Sequence, residues 1–312
     1  MAQADQKPEM TRVYKNAVWD STRWEAFTPR DDDILITTSY KAGTTWMQGI
    51  CAALVFQTPA PPKPQDELSP WIEAKFAPTD ETMALLEGLT NRRYIKTHSP
   101  LDSVIFHDQV KYIFVGRDGP DVFMSMWNHW NNMAPEFIDM RNNAPDREGP
   151  TLPPPPAEVG PAFDDWLTKA SFEWETDGYP FWSQITPAQT WWDYRHLDHI
   201  YFVHYTDLLK DLDGEMRKIS AFLDIGVNEA IWPDLVEGVT FKSMKANADV
   251  MAPGATAGLW KDTSNFFHKG TNRRWEGVLS DDQIRHYREI AKAKLDPDLE
   301  VWLEHGDAGS TA

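Results

Sequence analysis

The sequence predicts an α/β fold: one domain with a mostly parallel sheet flanked by helices. Three observations predict it. Short β-favouring runs recur at 34–36, 94–97, 112–115 and 200–203. Segments with helical apolar spacing lie between them. Each run is followed closely by a chemically capable side chain: Lys41, His98, Arg117 and Tyr205 in turn. Parallel sheets bind ligands beyond the C-terminal ends of their strands, so these residues are expected to converge on one edge.

The first run, Ile34-Leu35-Ile36, leads into Lys41, Gly43, Thr44 and Thr45. A helix is expected over 44–56, where Trp46, Ile50, Cys51 and Leu54 share one face. A strand feeding a glycine turn at a helix N-terminus is an anion-binding device, because free amides and the helix dipole both favour negative charge. Lys41 adds a cation. The ATP-type pattern G-x-x-x-x-G-K-[ST] is absent, since here Lys precedes Gly. Residues 57–70 read as a loop.

The second strand ends in Lys96-Thr97-His98. His98 is either structural or a general base. The third strand runs into Arg117 and a helix that reaches Trp130, with Asp118 as the expected N-cap and Pro120 in the first turn. Arg117 and Ser125 form either a second phosphate contact or, for the Arg, an ion pair with Asp118 or Asp121. Residues 142–162, with a Pro run at 153–156, read as an exposed loop or lid within the domain. The fourth strand ends at His204 and Tyr205. A helical region follows from Asp207 to Phe222, and the last helix is expected over 281–294. Lys269, Gly270, Arg273 and Arg274 form a basic cluster that either binds an anion or is a solvated loop.

A formal charge of −18 argues against nucleic acid as a partner. The N-terminus has no apolar leader, and no apolar run is long enough to span a membrane, so a soluble cytoplasmic protein is expected. The lone Cys51 offers no intrachain disulfide and no cysteine metal site, and no metal is expected. The 15 Trp residues supply aromatic surface for a core or an apolar ligand.

Taken together, these segments resemble the cytosolic-type sulfotransferases that use 3′-phosphoadenosine 5′-phosphosulfate (PAPS), and the likeness covers nearly the whole chain. Ser-Tyr-Lys-Ala-Gly-Thr-Thr-Trp at 39–46 is similar to the family's 5′-phosphosulfate loop, Tyr-Pro-Lys-Ser-Gly-Thr-Thr-Trp. Residues 115–125 resemble the 3′-phosphate segment, 96–100 the segment with the catalytic His, and 204–208 the strand end with an adenine-side Tyr. Residues 240–244 and 266–270 resemble two further cofactor segments. The resemblance implies a sulfotransferase fold akin to the P-loop kinases.

It also implies sulfuryl transfer from PAPS to a hydroxyl or amine of a small or lipid-linked acceptor. His98 would act as base, Lys41 would stabilise the leaving phosphate and Lys96 would steady the sulfuryl oxygens. Lys41, Ala42 (through its N–H), Gly43, Thr44 and Thr45 would hold the 5′-phosphate. Arg117, Ser125, His268, Lys269 and Gly270 would hold the 3′-phosphate. Trp46, Tyr205, Phe241 and Met244 would flank the adenine. Trp71, Phe76, Trp127, Trp130, Phe172, Trp174 and Trp182 are aromatic candidates for the acceptor pocket.

Four departures stand out. Tyr40 and Ala42 replace the loop Pro and Ser, and His268 stands at a family Arg. Arg273-Arg274 replace Gly-Asp, so either could supply the missing cation. The family's dimer motif is absent around Glu276, Ser280 and Asp281. A P-loop ATP phosphotransferase and a catalytically silent nucleotide-binding protein are the competing readings.

Overall fold

The computed structural model describes residues 7–254 and 258–309. Four strands form one parallel sheet: β1 (Ile34–Thr38), β2 (Tyr94–Thr97), β3 (Lys111–Gly116) and β4 (Ile200–His204), in the order β2-β1-β3-β4. The register pairs Thr37 with both Thr97 and Phe114, and Gly116 with His204. All four C-terminal ends therefore finish along one edge.

β1 is buried along its whole length because it lies between two neighbours and under two layers of helix. Its side chains alternate between the two faces. Leu35 joins one core with Ile95, Tyr112 and Phe114, against the helices Gly119–Asn132 and Pro297–His305. Ile34 and Ile36 join the other with Ile113 and Val115, against the helices Thr44–Phe56 and Leu212–Phe222. Continuous apolar strands are what a sheet covered on both faces requires.

Several expectations are corrected. A short helix, Gln65–Leu68, interrupts the predicted loop. The helix after β4 begins at Tyr205 and stops at Lys210; Asp211 then caps a second helix by accepting from the Gly214 N–H. Lys294 does not end the last helix of the chain. Asp296 and Pro297 look like a stop, but they are the N-cap and first residue of Pro297–His305. Asp118 occupies the N-cap position without capping: its side chain, half-buried, makes no cap hydrogen bond, and desolvation with nearby Asp121 pushes its carboxyl up to about 8.

The Pro-rich stretch is not exposed throughout. Leu152 is buried, held by paired bonds with the Asn142 amide at 2.7 and 2.9 Å. The Trp130 indole N–H donates to the Pro153 carbonyl, and a helix takes over at Val159.

Candidate active site

The loop after β1 reverses in five residues. Lys41 takes a left-handed φ of +68°, and Gly43 takes +129°, a value that disfavours any side chain. A Cβ on Gly43 would also stand 3.0 Å from the Tyr205 ring. Gly43 is the N-cap of the helix Thr44–Phe56 and supplies no side-chain cap to its first-turn amides. Ala42 departs from expectation. It is fully buried, and its N–H donates to the Ser39 carbonyl at 3.1 Å, closing the turn instead of facing the cavity.

One cavity sits over the C-terminal edge of the sheet. Lys41, Gly43, Thr44, Thr45, Trp46, Lys96, His98, Arg117, Ser125, Tyr205, Phe241, Met244, His268, Lys269 and Gly270 all line it, which leaves Ala42 as the one expected catalytic or cofactor residue outside. Among the described residues its cationic lining is Lys41, Lys96, Arg117, Lys269 and Arg274, with no carboxylate. In a chain of charge −18 that concentration marks a place for an anion.

Burial beside Arg117 and Lys96 lowers the Lys41 amine to about 7. Lys96 is lowered by burial, opposed by Asp66 and Glu73. The guanidinium of Arg117 stacks over the Tyr205 ring at 4.0 Å. It donates to the Thr271 carbonyl and the Asn272 amide oxygen, at 3.1 and 3.2 Å, and forms no ion pair with Asp118 or Asp121. Asp121 instead accepts the backbone N–H groups of Arg273 and Arg274. That contact separates the two arginines. Arg273 turns outward to Glu276, with its side chain 75% exposed. Arg274 turns into the cavity, where its buried Nε has no hydrogen-bond partner. Gly270, at φ +65°, lies so close that a Cβ there would overlap the Phe241 ring.

His98 lines the same cavity. Its Nδ1 lies 3.1 Å from the Thr38 carbonyl and 3.1 Å from the Thr38 hydroxyl. Burial, with Lys96 and Lys41 nearby, lowers the imidazole to about 3.

Aromatic and aliphatic side chains make up much of the rest of the lining. Trp71, Phe76 and Trp182 line the cavity as expected, but Trp127, Trp130, Phe172 and Trp174 do not. Val18, Tyr40, Met133, Phe137, Leu152 and Phe181 take their places. Tyr40 stands edge-on to both His98 and His129, at 5.3 Å each. His129 was missed by the sequence reading. It lies four residues after Ser125, one helical turn along the same face, and that spacing was the available signal.

The cavity thus presents clustered cations and aromatic rings, with His98 and Lys41 among them. The orphaned Arg274 Nε and the carboxylate-free cations fit a ligand with two phosphate-type groups. The chain belongs to the sulfotransferase domain family, whose model matches residues 31–297. It is 34% identical to a glycolipid sulfotransferase of Mycobacterium bovis, over 95% of both chains. It is 28% identical to sulfotransferase 1A1 of Rattus norvegicus, over 89% of this chain and 90% of that one. Its fold matches a mouse sulfotransferase solved with PAP, with a TM-score of 0.66, 21% identity and coverage of 91% and 92%. It also matches retinol dehydratase solved with androsterone and PAP, with a TM-score of 0.67, 18% identity and coverage of 89% and 87%.

Proposed function

We propose that this sulfotransferase moves a sulfuryl group from PAPS to a hydroxyl of a lipid-linked acceptor. The observation that carries this is the lining of the cavity: among the described residues it holds five Lys and Arg side chains with no carboxylate, and the rings of Tyr40, Trp71 and Trp182 surround His98. PAPS supplies the sulfuryl group and leaves as adenosine 3′,5′-bisphosphate.

Thr44, Thr45 and the amides after Gly43 hold the 5′-phosphate. Lys41 stabilises charge on the departing oxygen, and Lys96 steadies the sulfuryl oxygens. Arg117, Ser125, Lys269 and Arg274 hold the 3′-phosphate, with Arg274 standing in for the family cation absent at His268. Gly270 lets that segment close against Phe241. Trp46, Tyr205, Phe241 and Met244 flank the adenine. His98 Nε2 takes the acceptor's proton. Its basicity rises when anionic phosphates offset Lys41 and Lys96, the cations that lower it in the free protein.

The aromatic chamber supports a neutral acceptor with an apolar body, and a glycolipid fits that description. The glycolipid sulfotransferase relatives support the same choice. Among the described residues no helix is long and apolar enough to cross a membrane, and the likeness to cytosolic-type members supports a cytoplasmic enzyme.

The test is transfer of labelled sulfate from PAPS to glycolipids, alcohols and phenols, beside calorimetric titration with adenosine 3′,5′-bisphosphate. Transfer to a glycolipid is expected. Tight ATP binding with no affinity for the bisphosphate would overturn the reading.

A further inference from the structure

We propose that His129 is a positioning residue for Lys41: its Nδ1 accepts a hydrogen bond from the Lys41 amine, orienting it into the cavity and favouring its protonated form. Nζ and Nδ1 are 3.0 Å apart. No other hydrogen bond or ion pair involves this Nζ among the described residues.

The surroundings make the bond consequential. From β2 and the residue after it, Lys41 faces Lys96 and His98; from the end of β3 it faces Arg117; from the helix Gly119–Asn132 it faces His129. The segment after residue 260 presents the Phe266 ring, 4.5 Å from Nζ, and the loop itself presents Tyr40. Two of these neighbours are cations, and the His98 Nδ1 is already turned to Thr38. His129 Nδ1 is therefore the acceptor that offsets the repulsion. Its ring is fixed by Tyr40 at 5.3 Å, Trp260 at 4.6 Å and Phe266 at 5.8 Å. Burial keeps the imidazole neutral, so the Nδ1 lone pair persists and Nε2 carries the ring proton.

The inference rests on the functional reading above for its catalytic meaning, but its test does not. The full chain is labelled with 15N-lysine, and the Lys41 side-chain nitrogen, assigned through Lys41→Arg, is titrated by NMR without ligand. The wild-type midpoint should lie near 7. His129→Phe keeps a ring and removes the acceptor, so the midpoint should fall by about one pH unit or more. His129→Leu serves the same end if the Phe variant does not fold. His129→Asn restores an acceptor oxygen and should keep the midpoint within about half a unit of wild type. The alkaline limb of kcat/KM for PAPS, which reports the free enzyme's Lys41, should move with the midpoint. An unmoved midpoint in His129→Phe, or equal falls in the Phe and Asn variants, would overturn the proposal. Failure of the wild-type protein to transfer sulfate would sink the functional reading and leave this titration intact.

Discussion

The Nδ1 atom of His98 lies 3.1 Å from the carbonyl oxygen of Thr38. A carbonyl only accepts, so the ring proton sits on Nδ1 and leaves Nε2 with a lone pair. The relationship follows from register: Thr37 pairs with Thr97, so the next residue of each strand stands beside the other. His98→Ala should lower transfer by about 100-fold or more, as loss of a general base does, with little change in bisphosphate affinity. Labelled-sulfate kinetics and calorimetry measure the two separately. Full activity of His98→Ala on every acceptor would remove it as the base.

Arg274 enters the cavity and Arg273 does not. Arg274→Ala and Arg117→Ala should each weaken binding of adenosine 3′,5′-bisphosphate by about 10- to 100-fold, the loss expected for a charge-assisted contact. Adenosine 5′-monophosphate, which lacks the 3′ group, should be much less affected. Equal losses for both nucleotides would show that these arginines do not read the 3′-phosphate.

Gly270→Ala introduces a methyl group into the Phe241 ring at a left-handed φ. Stability should fall by roughly 1 kcal/mol or more, read by denaturant titration. Bisphosphate affinity should drop with it, because the 266–270 segment can no longer seat against the adenine side. A variant with unchanged affinity would separate this loop from nucleotide binding.

Binding of the bisphosphate should take up a proton above pH 7. Lys41 is lowered to about 7 by burial and by Arg117 and Lys96, so at pH 8 it is mostly neutral when free. Bound anion raises it. Uptake should approach one proton at pH 8 and fade at pH 6, as read by calorimetry in buffers of different ionisation heat. Lys41→Met should abolish it. The stability contribution has the opposite sense: the unfolded chain binds the extra proton from about pH 7 to about pH 10.5, so Lys41 favours folding increasingly as pH rises through that window.

Phe76 lines the chamber yet is 47% exposed, so it stands where the chamber meets solvent. Phe76→Ser should raise KM for a long-chain glycolipid by up to about tenfold, from lost apolar contact. The ratio of that KM to the KM of the same headgroup without its chain should rise. An unchanged ratio would place the lipid chain elsewhere.

Much of the site was legible because parallel sheets present their strand ends together. Lys41, His98, Arg117 and Tyr205 needed only the strand pattern to be found. Ala42 was misread because a turn's own hydrogen bonding decides which amide is free, and here Ser39 takes it. Trp130 and Trp182 look alike in sequence. One donates its indole N–H to Pro153, whereas the other faces His98 at 5.7 Å.

The amino-acid sequence by itself determined the strands, most of the residues that line the cavity over their ends, and the enzyme family. The strands rest on local φ preferences and on periodicity within a few residues, and the family rests on the resemblance of its motifs. Tertiary structure alone decided that Arg274 and not Arg273 lines the cavity, that Asp118 leaves its helix uncapped, and that His129 reaches Lys41. Each depends on contacts between residues far apart in the chain. Asp121 meets the 273–274 amides across 152 and 153 positions, and Lys41 meets His129 across 88. Separations of that size are closed only when both cores pack against the sheet, and no local pattern encodes them.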